Sequence, residues 1–182
     1  MNIVIANRQQ ARRINPRLLK KIAESLLADL EIEKAELGVS LVAAGEMTLI
    51  NETFLQHEGS TDVITFDYTD DGSAGSPLPA GGATIGKKLL KQKMGGRDAC
   101  PALHGEFFIC VDEAVTQAKK FQTSWQSEIV RYLIHGVLHL LGHDDHLTAA
   151  RRKMKREENR LLAGLSMKFC LAQIGGASKL SA

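Results

Sequence analysis

Thr123-Ser124-Trp125-Gln126-Ser127-Glu128-Ile129-Val130-Arg131-Tyr132-Leu133-Ile134-His135-Gly136-Val137-Leu138-His139-Leu140-Leu141-Gly142-His143-Asp144-Asp145-His146 is the stretch on which the reading of this chain turns. Thr123 as cap with Gln126 at the third helical position fits a capping box, so a helix starts here and runs to about residue 141. Ile129, Val130, Leu133, Val137, Leu138 and Leu141 cover its buried faces. His135 and His139 are four apart, so both imidazoles project from one face, a turn from each other. Gly142 lets the helix stop and the chain reverse, which returns a third polar side chain towards the pair. Two imidazoles and one further ligand, with an open fourth position, is the pattern of catalytic zinc rather than of a closed structural site.

The third ligand stays open. The His-x3-His-x5 register lands on Asp145, the x6 register on His146, and His143 is a weaker candidate. Asp144, or whichever of Asp145 and His146 does not ligate, is placed to orient the ligands. Surface histidines on an amphipathic helix are the plain alternative. A pair at this spacing, a glycine stop and then Asp-Asp-His argue against it. In the helical metalloprotease motif a glutamate follows the first histidine as general base, and here Gly136 stands there. Glu128 lies two turns earlier, about 10.5 Å along the axis, too far to serve beside the metal. No general base is assigned.

Outward from the helix, residues 2–6, 37–42, 62–66 and 107–111 read as strands, the last a continuous apolar run. Asn15-Pro16 starts a helix with Leu18, Ile22, Leu26 and Leu30 on its buried face. Residues 46–55 read as a short helix, 112–121 as another, and 147–162 as a last one carrying Arg151, Arg152, Lys153, Lys155, Arg156 and Arg160. That basic face is either solvated or tracks phosphates. The fold class expected is α+β: a small mixed sheet of four strands packed by about five helices, with the metal-binding helix over the sheet. Residues 69–102 hold seven of the sixteen glycines and three of the four prolines, so they read as a flexible insertion. The basic run at residues 87–93 is read as its solvated tip.

A chain of 182 residues suggests one domain, placed at residues 1–165, with 166–182 as a frayed tail. Hydrophobic content of 44% and charged content of 24% are ordinary for a globular protein, and a net charge of +2 permits nucleic-acid binding without arguing for it. Cys100, Cys110 and Cys170 are too irregular for a disulfide framework or a zinc knuckle. With no basic-then-apolar leader and no apolar run near eighteen residues, the expectation is a cytoplasmic protein without a membrane span.

His135-Gly136-x-Leu138-His139-Leu140-x-Gly142-x-Asp144 resembles the signature of the YbeY family of ribosomal RNA maturation factors. Ile50-Asn51-Glu52-Thr53-Phe54-Leu55, Thr61-Asp62-Val63-Ile64-Thr65-Phe66 and Gly105-Glu106-Phe107-Phe108-Ile109 resemble its other motifs. The resemblance implies an endoribonuclease with one zinc ion and specificity for single-stranded RNA. It also implies a role in maturing the 3′ end of 16S ribosomal RNA and in ribosome quality control, with no DNA substrate. The family's third ligand is a histidine at the x5 position, where this chain has Asp145 with His146 beside it; the register places Asp145 ahead. The family's arginine is Leu55 here, with His57 nearby, so that arginine's phosphate contact is not carried over. These departures, and the longer connection at 69–102, are read as lineage variation. Two other classes share the same ligands: a zinc metalloprotease-like hydrolase, which Gly136 argues against, and a non-catalytic ribosome-associated factor with a structural metal.

Overall fold

The computed structural model of the protein describes residues 1–68 and 102–176. The insertion expected at 69–102 therefore lies outside the described residues save for Ala102, as do Cys100 and the basic run at 87–93.

Four strands make one mixed sheet in the order β1-β2-β4-β3. They are β1 (Asn2–Asn7), β2 (Lys34–Val42), β3 (Val63–Asp67) and β4 (Ala102–Cys110). β1 and β4 run parallel to β2 on either side, and β3 closes the edge antiparallel to β4. Parallel neighbours need a crossover, and α1 (Pro16–Asp29) supplies the first, capped by the Asn15 side chain accepting from the Leu18 amide. Leu19, Ile22, Ala23, Leu26 and Leu27 are buried on its inner face. Then come α2 (Ala44–Ile50), α3 (Val111–Phe121), α4 (Trp125–Leu140) and α5 (Thr148–Lys168). The α+β architecture is as expected from the sequence, with α4 packed over β3 and β4.

Two glycines let α4 lie that close. A Cβ on Gly136 would come within 2.7 Å of the Phe107 ring, and one on Gly105 within 2.7 Å of both the Leu140 side chain and the Phe66 carbonyl. The helix thus accepts a strand's phenylalanine at its glycine, and the strand accepts the helix's leucine at its own. Phe107 and Ile109 are fully buried beneath it, as are Leu133 and Leu138. This packing fixes the height and rotation of α4, and hence where its outer face carries His135 and His139.

Several boundaries differ from expectation: β2 begins at Lys34, and β4 runs over Ala102–Cys110 instead of 107–111. The cap of α4 is Ser124, not Thr123: Ser124 Oγ accepts from the Ser127 amide at 3.1 Å, while Thr123 donates to Glu128 Oε1 at 2.6 Å. Gln122 closes α3 in the left-handed region at φ 55°. Ser124→Ala is therefore expected to cost about 1 kcal/mol in chemical denaturation. A larger cost for Thr123→Ala would reverse the assignment. The segment 46–55 is not one helix, since after α2 the backbone widens into a single π turn over Asn51–Leu55.

The tail expected to fray at 166–182 is corrected for residues 166–176, while 177–182 lie outside the described residues. α5 continues to Lys168, and a 3₁₀ turn over Leu171–Gly175 follows. Ile174 is fully buried and its carbonyl accepts from the Asn15 amide at 2.8 Å. Trp125 packs at Gly175, where a Cβ would lie 3.1 Å from its ring, so this tryptophan anchors the C-terminal turn on the core.

Candidate metal centre

The site grows from the end of α4. The His143 amide donates to the Leu138 carbonyl and the Gly142 amide to the His139 carbonyl, with Gly142 at φ 80°. These are the two bonds of a Schellman cap, which glycine permits because it lacks a Cβ. The cap turns the His143 carbonyl back on the helix, where it meets His139 Nδ1 at 3.0 Å. His135 Nδ1 lies 2.7 Å from Glu158 Oε1, on the buried side of α5.

Those two partners fix the tautomers. A carbonyl can only accept, and so can an ionised carboxylate, so both Nδ1 atoms carry the proton and donate. Burial raises the Glu158 pKa, but the His135 hydrogen bond and the charges of His135, Lys155 and Arg131 outweigh it and hold the carboxyl below its usual range. Both Nε2 atoms then present lone pairs, and they face each other 2.7 Å apart. Two lone pairs at that distance repel each other unless a proton or a metal ion lies between them. Burial, and then the nearness of His135, lower the His139 pKa, which keeps its imidazole neutral and ready to ligate at pH 7.

A third donor faces the pair. Asp145 Oδ1 is buried and has no hydrogen-bond partner among the described residues. Ligand atoms of His135, His139 and Asp145 all lie within 4.8 Å of one another. His146 falls in a different group, with Asp144 and Asp145, and its amide donates to Asp144 Oδ1 at 2.9 Å. His143 contributes its carbonyl, and burial together with Lys153 lowers its imidazole pKa. Two imidazole nitrogens and an unsatisfied carboxylate oxygen fit a zinc-class ion, with room for a further ligand. A buried carboxylate oxygen with no donor is otherwise costly.

The site opens into a cleft of about 320 Å³ lined by His135, Asp145, Tyr132, Arg131, Arg151 and Lys155. Asp62 and Glu128 line it too. Tyr132 has its hydroxyl buried without a partner among the described residues, and burial followed by the charges of Asp62 and Glu128 raises its pKa, so it remains a donor. Of the upstream motif, Asn51 is scaffolding: buried, it donates to the Gly59 carbonyl at 2.7 Å. Leu55 is buried and His57 is exposed.

Glu158 is the functional residue that local spacing does not reveal, since it meets His135 across 23 positions. Its signal is a carboxylate on an apolar stripe: Met154, Glu158, Leu161, Leu162 and Leu165 are the buried residues of α5. Arg151, read from sequence only as one of a basic face, donates from Nε to the Asp145 carbonyl at 2.9 Å. Among the described residues no helix is long and apolar enough to cross a membrane.

The chain resembles known proteins along most of its length. A protein of Syntrophotalea carbinolica named Endoribonuclease YbeY is 31% identical over 169 residues, covering 92% of this chain and 97% of its own. One of the same name from Chlorobium luteolum is 30% identical over 154 residues, covering 85% and 91%. The solution structure of a Thermotoga maritima protein shares the fold, with a TM-score of 0.58 at 19% identity over 99% of each chain. The family model described as Endoribonuclease YbeY matches residues 4–166. The span from β1 through α5, carrying both histidines and the turn that presents Asp145, thus belongs to the endoribonuclease YbeY family.

Proposed function

We propose that this chain is a zinc-dependent endoribonuclease specific for single-stranded RNA, acting with the ribosome in the cytoplasm to mature the 3′ end of 16S ribosomal RNA. The observation that carries the reading is the convergence of the His135, His139 and Asp145 donor atoms within 4.8 Å beside an open cleft. The name shared by the relatives supports RNA as substrate. His135, His139 and Asp145 would hold the ion, with His146 outside that set. A bound zinc-class ion polarises a phosphoryl oxygen and lowers the pKa of a water beside it. Glu158 and the His143 carbonyl hold the two imidazoles in the ligating tautomer. Tyr132 offers a hydroxyl donor in the cleft.

A cleft of this size favours an enzyme over a factor whose metal is only structural. The protease reading lacks its glutamate, and the packing of Gly136 on Phe107 leaves that position facing the sheet.

Metal content and cleavage are measured together on single-stranded RNA, duplex RNA and casein. The expected result is one zinc-class ion per chain, cleavage of the single strand only, and loss of cleavage on chelation. Asp145→Ala is expected to lower metal affinity by about 10–100-fold or more, and His146→Ala by less. Equal and negligible losses would remove Asp145 from the site. Metal-loaded protein that leaves single-stranded RNA intact, as His135→Ala does, would overturn the nuclease reading. Small ribosomal subunits bearing precursor RNA test the 16S assignment, which requires shortening of their 3′ end.

A further inference from the structure

We propose that Arg151 is the residue of this chain that grips the RNA phosphate beside the metal centre. The assignment rests on the endoribonuclease reading and names the contact that reading leaves unfilled. Leu55 is buried and cannot meet a phosphate, whereas the cleft offers three cations.

Two of the three are already engaged by carboxylates. Arg131 lies 3.6 Å from Glu128 and 3.7 Å from Glu158, and donates to Asn159 at 2.8 Å. Lys155 lies 3.8 Å from Glu158. Arg151 makes one bond among the described residues, from Nε to the backbone carbonyl of Asp145 at 2.9 Å. That bond leaves both terminal amino groups of the guanidinium unpaired and points an arginine at the residue that completes the metal triad. A fork pinned at Nε loses less freedom on taking an anion than a free side chain does, and its remaining donors suit two phosphate oxygens.

The start of α5 also suits an anion. The first turn of α5 holds no acidic residue, and Leu147 at its cap makes no side-chain bond to the amides. A cation directly after an uncapped helix start opposes the helix dipole. A phosphate there would answer both the dipole and the guanidinium.

The test compares Arg151→Gln with wild type, both metal-loaded. Glutamine keeps a donor for the Asp145 carbonyl and removes the charge. Binding is followed against salt with a 2′-O-methyl single strand as probe, and KM and kcat with cleavable RNA. We expect unchanged metal content, a salt slope shallower by about 0.7, and KM raised about 10-fold, the size of one lost charge-assisted hydrogen bond. Arg151→Lys should restore the slope but only part of KM, because an ammonium is a point charge. Arg160→Gln, whose guanidinium is already paired with Glu157, should change neither. Wild-type slope and KM in Arg151→Gln would overturn the assignment. So would loss of metal in that variant, since Arg151 would then only staple the Asp145 turn. Wild type that binds with the full slope and does not cleave would overturn the endoribonuclease reading and leave Arg151 as a phosphate contact. No binding at all would overturn both.

Discussion

Replacing His135 and His139 together with alanine is expected to abolish metal binding and reduce RNA cleavage to background. The two Nε2 atoms, 2.7 Å apart, are the centre of the donor set. Asp145 alone is a single carboxylate and cannot replace the two imidazoles. The fold should survive, because neither histidine belongs to the buried core and Glu158 keeps Arg131 and Lys155 nearby after His135 is gone. The readout therefore includes stability as well as activity. A ligand at a hundred times its dissociation constant stabilises the folded state by about 2.7 kcal/mol. Zinc should thus raise the melting temperature of wild type and leave that of the double variant unmoved. The same separation should appear on acidification. Burial, and then the nearness of His135, hold the His139 pKa below its ordinary value, so protons displace the ion there only in acid and zinc stabilisation should fade as the pH drops below the ordinary histidine range. Full metal content in the double variant would place the ion elsewhere in the chain.

How much of this was legible in the sequence follows from the range over which each feature is determined. The histidine pair depends on helix geometry alone, and so does the stop at Gly142, so both could be read from a dozen residues. The choice between Asp145 and His146 could not. It depends on how the chain leaves the Schellman cap and on α5, whose Arg151 holds the Asp145 carbonyl. Glu158 was out of reach for the same reason: its partner lies on another helix, and only its place on a buried stripe hinted at a task. The cap of α4 was displaced by one residue because Thr123 and Ser124 are both able caps, and Glu128 captures the threonine. The C-terminal turn was hidden by composition. Gly175 and Gly176 suggest fraying, yet Gly175 is where Trp125 packs and Ile174 enters the core. The α+β architecture itself was carried by strand chemistry and by the periodicity of α1 and α4, which neighbouring residues suffice to specify.

Gly136→Glu, which would restore the residue that a helical metalloprotease keeps after its first histidine, is expected to unfold the protein rather than make it a protease. The argument is steric first. A Cβ at Gly136 would lie 2.7 Å and 2.9 Å from two atoms of the Phe107 ring and 3.3 Å from Thr65 Oγ1. Phe107 is fully buried and sits in the middle of β4, so it cannot swing aside without opening the core. Gly136→Ala tests that part alone. Overpacking should cost about 1–3 kcal/mol, partly offset by the roughly 1 kcal/mol that alanine gains over glycine in a helix. Glutamate adds a carboxylate pressed between α4 and the sheet, where the Thr65 hydroxyl is a single neutral donor against the burial of a charge. The combined loss should be on the order of 4 kcal/mol or more, large enough to unfold a domain of ordinary stability. Urea denaturation of the three proteins ranks them directly. A Gly136→Glu protein of wild-type stability that cleaves casein in a metal-dependent way would mean that this position faces the cleft, and the packing of α4 on Phe107 would then be wrong. The expected order is wild type above Gly136→Ala above Gly136→Glu. In this chain the glycine between the histidines is a packing residue: it brings the metal helix down onto the sheet, and the general base must come from elsewhere in the site.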